Sequence, residues 1–414
     1  MRILSIETSC DDTSMAIVEV TEPKNLGRTP SVLVPHFKVL KNLVSSQTKI
    51  HSHWGGVVPN LAKREHLKNL PILWKRIMNK ELRIKNKKSM IHNSKFVIPD
   101  LLAVTVGPGL EPSLWTGVEF AKKLSAELKI PLVGVNHLEG HLYSFLLPQK
   151  TVITNIQYLI PKNKKLPLKL VEELPKLEIG NWKLEFPAVA LLVSGGHTIL
   201  VVMKNLKTWK KIGETRDDAA GEAYDKVAKM MSLPYPGGPL IEKLAKKGNG
   251  KAIAFPRPMM REKNYEFSFS GLKTSVLYYL KSLVSHPERS EGSREESSVD
   301  SSVRQLSDFR MTAEQLSDVS ASFQFAVIDV LTAKTIRAVR EFGAKSVFLC
   351  GGVAANKTLR KELKKAANAA GAEFFAPDFE YNTDNAAMIA VAAYLQQKSR
   401  RKKYPLVADS GLTL

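Results

Sequence analysis

The sequence predicts an α/β protein built from two related halves with a ligand-binding cleft between them. Strand-like and helix-like patterns alternate along most of its 414 residues, which is typical of α/β architecture. Residues 2–20 and 188–203 each have the pattern of a β-hairpin with a small, polar, hydroxyl-bearing tip. Such tips present backbone N–H groups and hydroxyls to an anion. Two similar hairpins in one chain therefore predict a duplicated domain.

A third segment, residues 346–363, has the pattern of an apolar strand, a Gly-Gly turn and a helix. Gly351 and Gly352 permit a ligand to approach the backbone closely, and the start of a helix favours a negative group. Taken alone, this pattern is also typical of an ordinary tight turn. Together with the two hairpin tips, it predicts a nucleotide cleft.

The expected division of the chain places the first half at residues 1–145 and the second half at 182–383. A helix at about 384–400 is expected to pack back on the first half. Residues 146–181 are basic and punctuated by Pro and Lys, which predicts an exposed insertion. Residues 285–308 are rich in Ser, Glu and Arg and nearly free of apolar side chains, so we predict a disordered insertion there.

The charge of the chain indicates a polyanionic partner. Lys and Arg number 61 against 40 Asp and Glu, a net charge of +21, and nucleic acid is the expected partner. General solubility or a lysine-rich composition is the alternative. The two cysteines, Cys10 and Cys350, fit a reducing compartment, so we expect a cytoplasmic protein. We expect neither a signal peptide nor a membrane span, because no apolar run approaches roughly 18–20 residues.

Two histidines four residues apart, His137 and His141 in GVNHLEGHLYS, raise the question of a metal site. On a helix they would share one face, which suits two imidazoles on one metal ion. Glu139 would point roughly 200° away from both, so the H-E-x-x-H arrangement of a zinc peptidase is excluded. Without a third ligand, two structural histidines on one helix face remain an alternative.

Asp384, in EYNTDNAAMIA, is a candidate third ligand. It stands before a helix-forming run, and the commonest use of an acid in this position is as a helix N-cap. The residues alone leave both alternatives open.

Nine motifs follow one another along nearly the whole chain apart from the predicted insertions: IETSCDDTS (6–14), HWGGVVPNLAKREH (53–66), GPGL (107–110), NHLEGHLYS (136–144), LLVSGGHT (191–198), DDAAGEAYDKVAKMMSLPYPGGP (217–239), FSFSGLKT (267–274), CGGVAANKTLR (350–360) and TDNAAMIA (383–390). In this order they resemble the TsaD-type tRNA N6-adenosine threonylcarbamoyltransferase family, formerly called O-sialoglycoprotein endopeptidases. The SGGHT motif is similar to the bacterial branch. Trp54, Asn60 and Ala386 depart from the family pattern, in which tyrosine, glutamate and glycine are common.

The resemblance implies an actin/sugar-kinase/Hsp70-like (ASKHA) fold of two domains with an interdomain nucleotide cleft. It implies that His137, His141 and Asp384 bind one divalent metal ion, iron or zinc, and leave coordination positions open for substrate. It also implies a set of substrate- and nucleotide-binding residues: Leu192, Val193, Ser194, Gly195, Gly196, Asp225, Gly238 and Asn356. Purely structural roles, a turn for Gly238 and a helix cap for Asn356, remain alternatives.

The activity implied is transfer of the threonylcarbamoyl group from threonylcarbamoyl-AMP to the N6 amine of the adenosine next to the tRNA anticodon, with release of AMP. The amine is a weak nucleophile, so we expect catalysis to come from positioning and charge stabilisation. We nominate Asp11, at the first hairpin tip, as the catalytic base. Its alternative role is hydrogen bonding within its own turn.

The resemblance further implies partners, namely tRNA, an inactive paralogue (TsaB-like) and a small P-loop ATPase (TsaE-like). The main alternative function is an ASKHA-fold ATPase or kinase without transferase activity, in which Asp11 and Asp217 would hold Mg²⁺. A non-catalytic nucleic-acid-binding scaffold is a third reading. Neither alternative gives a role to the two histidines and Asp384.

Overall fold

A computed structural model describes residues 1–22, 34–79, 98–148, 184–284, 311–399 and 403–414. The predicted insertion at 285–308 lies outside these residues, and so does all of 146–181 except its first three residues. The expectations for both insertions therefore stay predictions.

The first five strands form one sheet. They are β1 (Arg2–Glu7), β2 (Asp12–Thr21), β3 (His36–Ser46), β4 (Leu101–Gly107) and β5 (Leu132–Asn136), in the spatial order β3-β2-β1-β4-β5. The pairs β1/β2 and β2/β3 are antiparallel, whereas β1/β4 and β4/β5 are parallel.

The next five strands repeat this arrangement. They are β6 (Ala188–Val193), β7 (Thr198–Asn205), β8 (Thr208–Glu214), β9 (Ser346–Cys350) and β10 (Glu373–Phe375), in the order β8-β7-β6-β9-β10 with the same alternation of antiparallel and parallel pairs. Strands β4, β6 and β9 are buried along their whole length, which explains why they are continuous apolar runs rather than alternating ones. The repeat confirms the predicted duplicated ASKHA-type α/β fold.

The helices lie between and around the strands. They are α1 (Thr48–His51), α2 (Pro59–Asn79), α3 (Glu111–Leu128), α4 (His137–Tyr143), α5 (Ala220–Met230), α6 (Gly237–Ala245), α7 (Ser270–Val284), α8 (Ala313–Glu341), α9 (Lys357–Ala369) and α10 (Ala386–Lys398). Helix α8 begins with a capping box, because Thr312 accepts from the N–H of Gln315 and Gln315 accepts from the N–H of Thr312. Among the described residues α8 is the one helix long and apolar enough to cross a membrane, but 78% of its most apolar window is buried inside the molecule. This burial is typical of a core helix.

Helix α10 packs on the sheet of the first half, although it follows the second half in the chain. Its residues from Ala386 to Gln396 are all buried, so it is apolar on every face, as expected for a helix enclosed on all sides. It shares an apolar cluster with Ala16 and Phe37 of the first sheet. The segment that carries Asp384 is thereby brought to the first half.

Helix α4 lies at the junction of the two sheets. Leu138 and Leu142 on this helix belong to the same apolar cluster as Ala190, Leu192 and Phe348 of the second sheet. Fully burying one leucine side chain contributes about 1.5–3 kcal/mol, so this contact fixes α4 between the halves. Both histidines of the HLEGH motif are therefore held at the interface of the duplicated fold.

Candidate metal centre and nucleotide pocket

The two histidines of helix α4 and Asp384 converge on one point. His137 and His141 lie one turn apart with ring centroids separated by 4.7 Å. The Nε2 atoms of His137 and His141 lie 3.6 Å and 3.1 Å from Oδ1 of Asp384. One ligand atom from each residue lies within 4.8 Å of the others, so the three side chains could hold a metal ion.

Asp384 is not the cap of the helix that follows it. Asn385 is the N-cap of α10, and its side chain accepts a hydrogen bond from the N–H of Met388 at 3.0 Å. The capping alternative for Asp384 is therefore wrong. Because the neighbouring amide satisfies the helix end, the carboxylate of Asp384 is directed at the two imidazoles instead.

Glu7, at the end of β1, orients the first imidazole. Its Oε2 atom lies 3.0 Å from Nδ1 of His137, and Ser9 Oγ lies 3.1 Å from the same nitrogen. Glu7 also accepts from the N–H of Ser9 at 2.5 Å and from the hydroxyl of Thr105 at 2.6 Å. A carboxylate on the far ring nitrogen fixes the tautomer of a metal-binding histidine and leaves the other nitrogen free for the metal.

The buried Glu7–His137 pair is reflected in the pKa values of both groups. Burial alone would disfavour both charges, but the carboxylates of Glu7 and Asp384 raise the pKa of His137 to about 9. The charge of His137 in turn holds the pKa of Glu7 below its ordinary value despite its burial. Sequence reasoning missed Glu7. The available signal was a charged residue at the end of an otherwise apolar strand, since buried acids need a partner.

The residues fit a divalent cation. Two imidazoles and one carboxylate are the ligand types of catalytic zinc and non-haem iron sites. The surroundings are acidic as well. Burial and then repulsion from Asp384 raise the pKa of Asp12 to about 7, and the same two causes raise the pKa of Asp11 above its ordinary value. A cation at the convergence point would relieve this repulsion.

Asp11 lies at the first hairpin tip, directly before β2. Hydrogen bonding to Cys10 and to its own backbone lowers the pKa of Asp11 less than burial and the charge of Asp384 raise it. Asp11 also acts over a longer range, because its charge adds to burial in raising the pKa of Asp225. The tip is held from outside by His66, whose Nε2 lies 3.0 Å from the carbonyl oxygen of Cys10.

A pocket in the second half contains four of the eight predicted nucleotide residues, namely Gly195, Asp225, Gly238 and Asn356. Its other described lining residues are Gly221, Tyr224, Pro236, Pro239, Glu242, Gly352, Val353 and Ala355. All twelve belong to the second half of the chain.

The other four predicted residues lie near the pocket without lining it. The side chains of Leu192 and Val193 are fully buried in strand β6, which pairs with β7 on one side and with β9 on the other. Ser194 Oγ accepts from the N–H of His197 at 3.1 Å and closes the hairpin tip. Gly196 is exposed at the same tip.

The predicted pocket residues also have identifiable structural contacts. Asp225 accepts from the N–H of Gly237 at 2.8 Å at the start of α6. Asn356 caps α9 by accepting from the N–H of Leu359, so its structural alternative is confirmed alongside its place in the pocket wall. A Cβ at Gly238 would meet nothing within 4 Å, which means that no protein neighbour requires this glycine.

Helical spacing could have identified two of the missed pocket residues. Glu242 lies four residues after Gly238 on α6, and Gly221 lies four residues before Asp225 on α5. Residues four apart share a helix face, so a pocket contact at one predicts a contact at the other.

His197 at the second tip was also missed. Burial and then the charges of His137 and His141 lower its pKa to about 4, so it is a neutral imidazole that lies within electrostatic range of the metal ligands.

The chain matches one protein family along most of its length. The family model for TsaD, described as tRNA N6-adenosine threonylcarbamoyltransferase, matches residues 38–155 and 168–391. Relatives with that name include proteins of Bacillus subtilis (41% identity, covering 100% of this chain and 96% of that protein), Thermotoga neapolitana (39%, covering 100% of each) and Thermosipho melanesiensis (39%, covering 95% and 94%).

Among solved structures, the chain is similar to HypF from T. kodakarensis with a TM-score of 0.47 and 13% identity, over 96% of this chain and 48% of that one. A likeness this distant bears on neither activity nor ligand. The sequence identity to the family members is much higher, at 39–41% over nearly the whole chain. On that basis, the chain belongs to the tRNA N6-adenosine threonylcarbamoyltransferase family.

Proposed function

We propose that this protein transfers the threonylcarbamoyl group from threonylcarbamoyl-AMP to the N6 amine of the adenosine next to the anticodon in tRNA. The observation that carries the proposal is the convergence of His137, His141 and Asp384 in a member of this family whose second half also contains a glycine-lined pocket. The net charge of +21 supports a tRNA substrate, because phosphate contacts supply most of the sequence-independent affinity for nucleic acid.

The proposed cofactor is one divalent metal ion, iron or zinc, held by His137, His141 and Asp384. When bound, the metal would supply Lewis-acid polarisation and a template for substrate oxygens. Glu7 holds the Nδ1 side of His137 so that Nε2 faces the ligand position. The burial of both imidazoles excludes water from their side of the site.

The AMP portion of the substrate is assigned to the pocket of the second half. The backbone at Gly195 and Gly196 offers N–H groups to the phosphate, because these glycines have no side chains in the way. The N–H of Ser194 donates to the carbonyl oxygen of His197 at 2.8 Å, so this residue supports the tip instead. Asp225 offers a carboxylate to ribose hydroxyls, for which this side chain is well suited. Gly238 and Asn356 complete the pocket wall.

In the proposed reaction the N6 nitrogen bonds to the carbamoyl carbon, and the bond from that carbon to the phosphate oxygen of AMP breaks. AMP leaves with the electron pair. Asp11 accepts the proton that the amine loses. Burial and the charge of Asp384 raise the pKa of Asp11, which makes its carboxylate a stronger base than an exposed aspartate.

The proposed partners are tRNA, threonylcarbamoyl-AMP, an inactive paralogue and a small P-loop ATPase, and the proposed location is the cytoplasm. Helix α2 offers a surface for a protein partner. Its Leu70 and Leu73 face the core, whereas Leu67 and Ile72 remain 57% and 46% exposed. Core packing is the alternative role for this helix, because Leu67 and Ile72 lie about 140° apart around its axis and do not form one face.

The ATPase alternative has less support. It needs Asp217 to be free for Mg²⁺, but this carboxylate accepts from the hydroxyls of Ser268 and Ser270 at 2.5 Å and 2.6 Å and from the N–H of Phe269. These bonds cap the start of α7 and lower the pKa of Asp217 although partial burial opposes this. The side chain is thus engaged in structure.

The test is a transfer assay on unmodified tRNA with synthetic threonylcarbamoyl-AMP, with metal content measured on the same sample. The proposal expects modified adenosine and AMP in equal amounts and about one metal ion per chain. ATP turnover without tRNA and without any transfer product would contradict it and favour the ATPase.

A further inference from the structure

Residues 403–414, which we name the strap, run along the outer edge of the first sheet. Tyr404 forms an antiparallel bridge with Gly134 of β5. The N–H of Asp409 donates to the carbonyl oxygen of Val106 at 2.8 Å. Tyr404, Leu406 and Leu412 pack against the apolar cluster that lies on this side of the sheet. The strap is therefore an integral part of the first half.

The strap makes two polar contacts with the start of helix α4. The hydroxyl of Tyr404 donates to Oε1 of Glu139 at 3.2 Å. Nδ2 of Asn136 donates to the carbonyl oxygen of Thr413 at 3.0 Å, while Oδ1 of the same side chain accepts from the N–H of Leu138 at 2.8 Å. Asn136 thus caps the helix that begins at His137 and joins it to the strap at the same time.

Two glycines make room for the strap. A Cβ at Gly134 would lie 2.9 Å from the end of the Val106 side chain (Cγ1) in β4, 3.1 Å from the carbonyl oxygen of Tyr404 and 3.2 Å from that of Pro405. A Cβ at Gly107 would lie 1.9 Å from the carbonyl oxygen of Asp409. The strap therefore approaches the backbones of β4 and β5 closely at these two glycines. This close approach is a separate observation from the polar contacts with α4.

We propose that Asn136 and Tyr404 are positioning residues for the metal centre and act through the strap. Helix α4 has only seven residues, and so short a helix does not hold its own orientation. Metal ligands must be kept within about 0.5 Å of the binding geometry. The strap and the cap fix the start of α4 and with it the spacing of the two Nε2 atoms. This inference rests on the proposed metal site.

The test is a titration of the full-length metal-free protein with Co²⁺, which reports both affinity and ligand geometry through its visible spectrum. Tyr404→Phe removes the bond to Glu139, and Asn136→Ser keeps a capping oxygen but removes the donor to Thr413. Each variant should weaken Co²⁺ binding by about 2- to 10-fold, the loss of one hydrogen bond, and shift the visible bands. Tyr394→Phe is the matched control, because its hydroxyl donates to Glu22 at 3.1 Å, away from α4.

A third variant changes β5, the strand that the strap contacts. Gly134→Ala places a methyl group against the strap and leaves every metal ligand and both polar contacts chemically intact. It should also weaken Co²⁺ binding and shift the bands, whereas a merely structural role would lower the melting temperature alone. Co²⁺ affinity and spectra equal to those of the unmodified protein in all three variants would overturn the inference. Failure of the unmodified protein to bind Co²⁺ would instead contradict the proposed metal centre, and this inference with it.

Discussion

The two hairpin tips occupy equivalent places in the duplicated fold, yet they are built for different tasks. Each has four residues, 8–11 between β1 and β2 and 194–197 between β6 and β7. The first tip is tied down, because Ser9 bonds to Glu7 and His137 and its carbonyl oxygen accepts from the N–H of Leu110 at 2.7 Å. The second tip is also anchored, because the carbonyl oxygen of Ser194 accepts from the N–H of Gly221 at 3.2 Å, but its two glycines are open, since a Cβ at either Gly195 or Gly196 would meet nothing within 4 Å.

Under the proposed function, this difference would divide one reaction between the two halves. The first tip would support the metal ligands, where sub-ångström placement matters. The exposed glycines of the second tip would let a phosphate approach the backbone. We therefore expect changes at Glu7 and Ser9, which contact His137, to affect metal binding, and changes in the second half to affect substrate binding.

The largest expected effect comes from removing metal ligands. His137→Ala with His141→Ala should abolish metal binding and lower the rate of threonylcarbamoyl transfer by at least about 10³-fold, since a Lewis acid contributes several kcal/mol to catalysis. Metal content and transfer rate are the measurements, with circular dichroism to check the fold. His36→Ala, an exposed histidine at the start of β3, is the control and should change neither. Normal turnover of the double variant would exclude the metal mechanism.

The next effect concerns the base at the first tip. Asp11→Asn should lower the rate of transfer by about 10²-fold or more while metal content stays unchanged, because general bases contribute about 10²–10⁴-fold. Activity should rise with pH as the carboxylate loses its proton, and the midpoint should lie above the ordinary aspartate value of about 3.9 because burial and Asp384 raise this pKa. A rate within twofold of that of the unmodified protein would exclude Asp11 as the base and leave it only the role of hydrogen bonding within its own turn.

A smaller effect, on metal affinity, is expected when Glu7, the residue that holds the His137 imidazole, is changed. Glu7→Gln removes the charge that holds Nδ1 of His137, so metal affinity should fall by about 10- to 100-fold. Competition with a chelator of known affinity measures this change. Glu19→Gln, which alters a partly exposed pair with Arg2, serves as the control. Equal metal affinities in the Glu7→Gln and Glu19→Gln variants would show that Glu7 does not support metal binding.

The smallest effects are expected at two adjacent glycines of the second half, where one substitution should change stability and the other substrate binding. Gly237→Ala would place its Cβ 2.2 Å from Cβ of Ala228 and should lower the free energy of unfolding by about 1–3 kcal/mol. Gly238→Ala meets no protein atom, so it should leave the melting temperature unchanged and raise KM for threonylcarbamoyl-AMP. Thermal melts and initial rates measure the two quantities. An unchanged KM for Gly238→Ala would mean that the ligand does not approach this residue.

Local patterns explain what could be predicted from the sequence. The hairpins and the strand–Gly-Gly–helix segment follow from apolar runs and glycine turns, which need no tertiary information. The shared face of His137 and His141 follows from helical spacing. The resemblance then added Asp384 as a ligand.

Contacts between distant parts of the chain could not be predicted in the same way. Glu7 and His137 are 130 residues apart, and Asn136 and Thr413 are 277 residues apart. Neither contact leaves a periodic pattern, because both depend on how the sheet brings its strands together. The alternative of Asp384 as a helix cap depended on where α10 begins, and a single residue excluded it.

The most direct test of the central claim is the rate of threonylcarbamoyl transfer before and after metal removal. We expect protein treated with a chelator, and shown metal-free by elemental analysis, to form no modified adenosine. Transfer should return when one equivalent of Fe²⁺ or Zn²⁺ is added, and it should not return in the variant that lacks both histidines. Transfer at the full rate by the metal-free protein would contradict the account.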